Sequence, residues 1–222
     1  MTHETFSEAL GPDAMAALRG RAVARRFARG AALFHAGQVP DRVLLVTRGR
    51  VKLCRPTEDG REVMLAMRGP GDVIGEQSAI DGEPRSASAV ALEQVEALAL
   101  TPADFMDVVT RTPAAALFLM RELSRRLRDA DRKRVELASG ATLGRVAARL
   151  VELCESAAPP GDGGGLDLDV PLTQEDLAGW TGCSREAVSR ALGQLRGMGL
   201  VSTGRRQLVV LDLPGLRRHA AG

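Results

Sequence analysis

Two short stretches of the chain carry residue types whose spacing suits chemistry. The first, 75–87, reads G-E-Q-S-A-I-D-G-E-P-R-S-A. Gly75 permits close backbone approach to a ligand. Gln77, Ser78, Ala79 and Ile80 fit one helical turn whose N–H groups would face an anion. Arg85 can pair with that anion through two parallel hydrogen bonds, and Ser86 adds a hydroxyl donor. Glu76 has the wrong charge for a phosphate but suits a sugar hydroxyl. Jointly they describe a pocket for a cyclic sugar phosphate, although an isolated Glu or Arg is usually plain surface.

The second stretch spans Leu172 to Leu213. Thr173 followed by Asp176 approximates a capping box, with Asp in place of Glu or Gln. It predicts a helix from Gln174 to Trp180. Thr181-Gly182-Cys183 is a short glycine turn, and Ser184 caps a second helix that runs to about Met198. Helix, glycine turn, helix is the helix-turn-helix pattern. Val188, Leu192 and Leu195 form the buried stripe of the second helix. Arg185, Glu186, Ser189 and Arg190 fall on its other face. Near the N-terminus of a helix lying in the major groove, arginine can donate to guanine O6 and N7, and glutamate can accept from cytosine N4. The plainer alternative is a Glu186–Arg190 surface pair at i, i+4. Gly204, Arg205 and Arg206 form a turn between strands Leu200–Ser202 and Gln207–Leu211. That makes a basic wing whose arginines suit phosphates.

Other elements must position these two stretches. Ala14 to Arg25 has helical spacing. From Phe27 to Leu100, short apolar runs alternate with turn signals, the pattern of an antiparallel sandwich or barrel. The runs are Val43–Val46, Val51–Leu53, Val63–Ala66, Val73–Ile74, Ala87–Ala91 and Ala97–Leu100. Thr101-Pro102 opens a helix and Thr112-Pro113 a much longer one. In the long helix Met120, Leu123, Leu127, Ala130 and Leu137 follow an a/d repeat amid charged neighbours. A stripe this narrow calls for a partner helix, hence a homodimer; the alternative lays the helix on its own β-domain. Ser139-Gly140 breaks the helix, Thr142 can cap the next, and 158–165 reads as a flexible connection. Leu166–Val170 is a short strand.

Composition narrows the class. The chain has 222 residues, 45% hydrophobic and 26% charged, with a formal net charge of +2. That is ordinary for a soluble globular protein, with room for two domains. No apolar run is long enough to span a bilayer, and no secretory signal opens the chain, so the expectation is a cytoplasmic protein away from membranes. Cys54, Cys154 and Cys183 form no CxxC or Cys/His cluster. They are expected to be packing residues, with neither disulfides nor metal. Lysine occurs only at 52 and 133, so nearly all positive charge is arginine. No nucleophile–base pair or metal-ligand spacing supports an enzyme, and no catalytic cofactor is implied.

Two motifs, G-E-x(8)-R-S-A at 75–87 and G-C-S-R-E-x-V-x-R at 182–190, resemble the CRP/FNR family of transcription regulators. The resemblance extends from about Phe27 to Leu211. It implies an α+β chain with an N-terminal β-roll of the cyclic-nucleotide-binding, double-stranded β-helix type (1–111). A dimerisation helix (112–139) and a winged helix-turn-helix (140–222) would follow. Glu76 would bind a ribose 2′-hydroxyl, and Arg85 and Ser86 the cyclic phosphate. The effector set is then Gly75, Glu76, Gln77, Ser78, Arg85, Ser86, Ala87, Ala130 and Asp131. Arg185, Glu186 and Arg190 would read a TGTGA-like half-site twice in a palindrome of double-stranded DNA, with Gln174 and Ser184 on phosphates. RNA polymerase is the further partner the family implies. The chain departs from the family's cyclic-AMP receptor at the base-binding Thr-Ser pair, which here is Ala130-Asp131. Asp131 can accept one bond from adenine or two from guanine, so cyclic GMP stands beside cyclic AMP. The altered hinge, Ser139-Gly140-Ala141, and the loss of a hydroxyl at Ala130 keep open a constitutive DNA binder or one with another effector. The cysteine cluster of the oxygen-sensing relatives is missing, and His35 reads as a turn residue.

Overall fold

The computed structural model describes residues 4–58, 60–139, 141–156, 166–167, 172–204 and 207–220. They fall into two compact units, one of residues 1–55 with 65–128 and one of 56–64 with 129–222.

The first unit opens with α1 (Phe6–Arg21), started by a reciprocal capping box between Thr5 and Glu8 and kinked at Gly11, which adopts φ +70° just before Pro12. The helical pattern expected to reach Arg25 stops short, because β1 (Val23–Phe27) takes over. Then come β2 (Ala32–Phe34), β3 (Val43–Arg48), β4 (Val51–Pro56), β5 (Glu62–Arg68) and β6 (Val73–Ile74). They are followed by α2 (Glu76–Asp81), β7 (Ser88–Ala91), β8 (Val95–Leu100) and α3 (Pro102–Arg111). The long α4 (Pro113–Ser139) starts in this unit and passes into the second.

Two four-stranded sheets form, ordered β1-β8-β3-β6 and β2-β7-β4-β5. Alternating side chains of both meet in one apolar layer that includes Phe34, Leu44, Val46, Val51, Ile74, Ala89 and Val95. This is the physical reason for the short apolar runs: β7 buries alternate residues, and β3 buries Val43 to Val46 in succession, Leu44 and Val46 in this layer and Val43 and Leu45 in a second cluster. That second cluster joins the helices to the first sheet. Phe6 stacks obliquely on Phe105 at 5.8 Å and meets Phe118 edge-on at 5.9 Å. Around them pack Leu10, Leu18, Val43, Leu100 and Leu119. α3 starts as expected, with Pro102 in its first turn and Thr101 accepting from the Asp104 N–H.

The second unit contains the end of α4, then α5 (Thr142–Ser156), β9 (Leu166–Asp167), α6 (Gln174–Thr181) and α7 (Arg185–Gly197). β10 (Val201–Gly204), β11 (Gln207–Val210) and α8 (Leu213–Ala220) complete it. Thr142 is the first helical residue of α5 rather than its cap, one residue earlier than the sequence pattern suggests. Val146, Leu150 and Leu153 of α5 are buried, with Leu177 and Trp180 of α6, Val188 and Leu195 of α7, and Leu216 of α8. β10 and β11 pair antiparallel from Val201↔Val210 to Gly204↔Gln207, and β9 extends the sheet beside β11. The expected flexible connection at 158–165 and the rest of the expected strand, 168–170, lie outside the described residues.

Candidate functional site

In the first unit, the 75–87 segment buries Glu76 and Arg85 far more than its sequence suggests, while Asp81 and Glu83 stay exposed. Gly75 precedes α2 at φ +79°, a left-handed backbone conformation that favours glycine. A Cβ there would stand 2.5 Å from Arg85 Nη1, so glycine is needed for space as well as for conformation. Arg85 is only 3% exposed. It donates from Nη1 to the Gly75 carbonyl at 2.8 Å and from Nη2 to the Arg42 carbonyl. Its guanidinium lies 4.5 Å from the centre of the Phe34 ring, and its Nη2 is 3.6 Å from the Asp41 carboxylate. Burial pulls its pKa below the ordinary arginine value, and Asp41 opposes that. Its Nε is buried with no hydrogen-bond partner. An open cleft of about 430 Å³ is lined in part by Phe34, Asp41 and Arg42, three of the residues around this guanidinium.

Glu76 is likewise 3% exposed, and its Oε1 accepts from Arg126 Nη1 on α4. Arg126 also donates from Nε to Glu122 at 2.8 Å. Glu122 accepts two further bonds from Arg125, at 2.9 and 2.7 Å, and Arg68 Nη2 stands 3.8 Å away. Burial alone would raise the Glu122 pKa, but the two arginines outweigh it and hold the carboxyl at about 2. Burial and the Arg126 charge both lower the Arg68 pKa. Ser78 and Ala87 are buried, whereas Gln77 and Ser86 are exposed, with the Ser86 hydroxyl 3.2 Å from Gln77 Oε1.

The structure thus brings Gly75, Glu76, Gln77, Ser78, Arg85, Ser86 and Ala87 together, and adds residues the sequence did not offer. Arg126 and Glu122 stand in the sequence only among the charged neighbours of the long helix's apolar stripe; the tie to Glu76 joins residues fifty apart. Phe34, Asp41 and Arg42 reach Arg85 across a loop with no motif. Ala130 and the exposed Asp131 belong to the second unit, where Asp131 lies 3.9 Å from Arg134.

α4 leaves apolar side chains in the open. Met120 is 60% exposed and Leu127 65%, with Leu117 and Val135 similarly uncovered. Leu123 is half-buried and Ala130 exposed. The Leu137 side chain lies outside the described residues.

In the second unit the two-helix pattern is built by its caps. Thr173 and Asp176 form the expected reciprocal box at the start of α6, and Gly182 ends α6 at φ +64°. Ser184 Oγ accepts from the Ala187 N–H at 3.2 Å and starts α7. Val188, Leu192 and Leu195 are buried, while Arg185, Glu186, Ser189 and Arg190 are exposed on one face, as is Gln174 at the start of α6. Backbone N–H bonding, then the Ser184 hydroxyl, hold the Glu186 carboxyl below its usual range, so it is charged at neutral pH and available as an acceptor. Arg205 and Arg206 lie outside the described residues. On the first strand of the wing, Arg196 of α7 donates to the Thr203 hydroxyl at 3.1 Å.

Cys54, Cys154 and Cys183 are free thiols, and burial pushes Cys154 up to about 11, which leaves it protonated and unreactive. Among the described residues no cluster of His, Cys, Asp or Glu could hold a metal ion, and no helix is long and apolar enough to cross a membrane.

Comparison with known proteins places both halves. Residues 24–112 match the cyclic nucleotide-binding domain, and residues 144–219 match the Crp-like helix-turn-helix domain. The chain is 33% identical over 209 residues to the CRP-like cAMP-activated global transcriptional regulator of Mycobacterium tuberculosis, covering 94% of this chain and 93% of that one. It is 36% identical over 198 residues to the cyclic AMP receptor protein of Thermus thermophilus, covering 89% and 88%. The fold is similar to that of FixK2 from Bradyrhizobium japonicum, with a TM-score of 0.79 at 24% identity, over 90% of this chain and 98% of that one.

Proposed function

The chain belongs to the CRP/FNR family of transcription regulators, which are not enzymes, and from that premise we propose a homodimer whose grip on DNA is set by a cyclic nucleotide. Cyclic AMP is the first choice of effector, bound by Glu76, Arg85 and Ser86. The observation that carries this reading is the buried Arg85 Nε without a partner. A buried donor left unpaired is costly, and a cyclic phosphate supplies the missing acceptor and adds negative charge to a guanidinium that already has the Asp41 carboxylate at 3.6 Å. Glu76 is held in place by Arg126, and the described contacts engage only its Oε1, which leaves Oε2 for a ribose hydroxyl.

Each protomer presents Arg185, Glu186 and Arg190 to the edges of a TGTGA-like half-site. Gln174 and Ser184 face phosphates, as do Arg205 and Arg206 of the wing. Two copies joined along Met120, Leu123, Leu127, Ala130 and Leu137 read a palindrome. The bound dimer then acts on RNA polymerase at promoters in the cytoplasm. The effector works by binding one arrangement of the dimer more tightly than the other. Asp131 supports cyclic GMP as the second candidate, since its carboxylate can take both the N1–H and the amino group of guanine.

Titration calorimetry with cyclic AMP and cyclic GMP tests the effector. Heat of binding is expected with one of them and is lost in Arg85→Leu. No heat with either at about 1 mM ligand, a concentration that reveals even weak sites, overturns the effector claim and leaves a constitutive DNA binder.

A further inference from the structure

Gly179 sits inside α6, where alanine is the better helix former. The reason for glycine lies in the chain that meets it. A Cβ at 179 would stand 2.4 Å from the Glu62 carbonyl oxygen, and 3.5 Å from the Glu62 carbonyl carbon and the Met64 nitrogen. These are backbone atoms of the β4–β5 hairpin, so no side-chain rotation relieves the overlap. Residues 56–64 accordingly group with the DNA-reading unit although the strands that carry them run on into the other. Next along α6, Trp180 is buried and the Lys133 ammonium of α4 lies 6.0 Å from its ring centre. Gly179 itself is half-buried and Glu62 exposed, so the seat adjoins the core of this unit.

The hairpin's other end leads to the effector segment. β4 pairs antiparallel with β7, Leu53 opposite Ala89 and Cys54 opposite Ser88. Ser88 follows Arg85-Ser86-Ala87 directly in the chain. A phosphate that draws on Arg85 and Ser86 pulls on the strand hydrogen-bonded to the hairpin's arm. We propose that Gly179 is a positioning residue, the seat through which the β4–β5 hairpin sets the DNA-reading helices according to the state of the effector segment. This rests on the effector reading above. It needs no contact between ligand and α6, only a backbone-on-backbone fit that a single methyl group disturbs.

The test uses full-length protein, wild type and Gly179→Ala, with three readouts. Hydrogen exchange follows the amides of 56–64, calorimetry follows cyclic AMP and cyclic GMP, and fluorescence anisotropy follows a TGTGA-type palindrome with and without the nucleotide that binds. In Gly179→Ala the hairpin amides are expected to exchange at least tenfold faster and nucleotide affinity to stay within about twofold, because no pocket residue is touched. The effector-induced gain in DNA affinity falls at least fivefold. An unchanged gain despite a loosened hairpin overturns the proposal, as does unchanged hairpin exchange. If the wild type gives no heat with either nucleotide, the effector reading fails by itself. DNA affinity without ligand then decides: equal values for the two proteins overturn the seat, and an altered value supports it.

A second variant guards against simple misfolding. In a chain with 57–62 replaced by an Asn-Gly turn, position 179 has nothing to clear. There Gly179→Ala is expected to raise the melting temperature, whereas in the native chain it lowers it. A lowered melting temperature in both backgrounds overturns the proposal.

Discussion

Glu122→Gln removes one charge from the buried cluster behind the effector segment while keeping the side chain's shape. The carboxylate is 8% exposed and is held at about 2 against an ordinary 4.5, because the hydrogen bonds of Arg125 and Arg126 outweigh the burial that would raise it. A gap of that size corresponds to about 3 kcal/mol of preference for the charged form in the folded chain. The folded value lies below the unfolded one, so the stabilisation is fully present above about pH 5 and is lost as pH falls from 4.5 towards 2. Glutamine still accepts a hydrogen bond, so the expected loss at pH 7 is about 2–3 kcal/mol. More than half of that difference should be gone by about pH 3, where the unfolded wild-type carboxyl is protonated. The assay is urea unfolding at several pH values followed by circular dichroism. Fluorescence of Trp180, the one tryptophan, reports on the second unit and serves as the internal control. A deficit under about 1 kcal/mol at pH 7, or one of constant size down to pH 3, would refute the reasoning.

Gly75→Ala is expected to cost about 1–3 kcal/mol of stability and at least a tenfold loss of nucleotide affinity by calorimetry, because its Cβ would displace the Arg85 guanidinium. Leu127→Asp, at a position two-thirds exposed in the single chain, should give monomers in analytical ultracentrifugation where the wild type sediments as a dimer, with helix content unchanged. Glu186→Ala should relax base choice at one half-site position by about 1–3 kcal/mol and leave binding to unrelated DNA nearly unaltered, measured by competition against single-base variants.

What the sequence made legible is what acts within a few residues. The Thr173–Asp176 box, the Ser184 cap and the Thr101-Pro102 start are i, i+3 or adjacent signals, and each one stands where expected. The buried stripe of α7 follows from its period alone. β1 escaped notice because four of its five residues, Val23 to Arg26, are exposed and show no alternation. It exists through its ladder to β8, from Val23↔Ala99 to Phe27↔Val95. Such pairing over some seventy residues overrides local pattern. The same holds at the candidate site. Arg85 and Glu76 were visible as types, but not their burial, which comes from the Arg42 carbonyl, the Phe34 ring and Arg126, all far away in sequence. Gly179 carries no local signal, since what requires it is the Glu62 carbonyl, far away in sequence.

The central claim is that one nucleotide-binding event changes how two recognition helices hold one palindrome. Fluorescence anisotropy on a labelled TGTGA-type palindrome, with and without saturating cyclic AMP or cyclic GMP at fixed salt, tests it most directly. The account predicts two protomers per duplex and an affinity at least tenfold tighter with the nucleotide that gives heat in calorimetry, an effect absent in Arg85→Leu. Equal affinity with and without that nucleotide would contradict it.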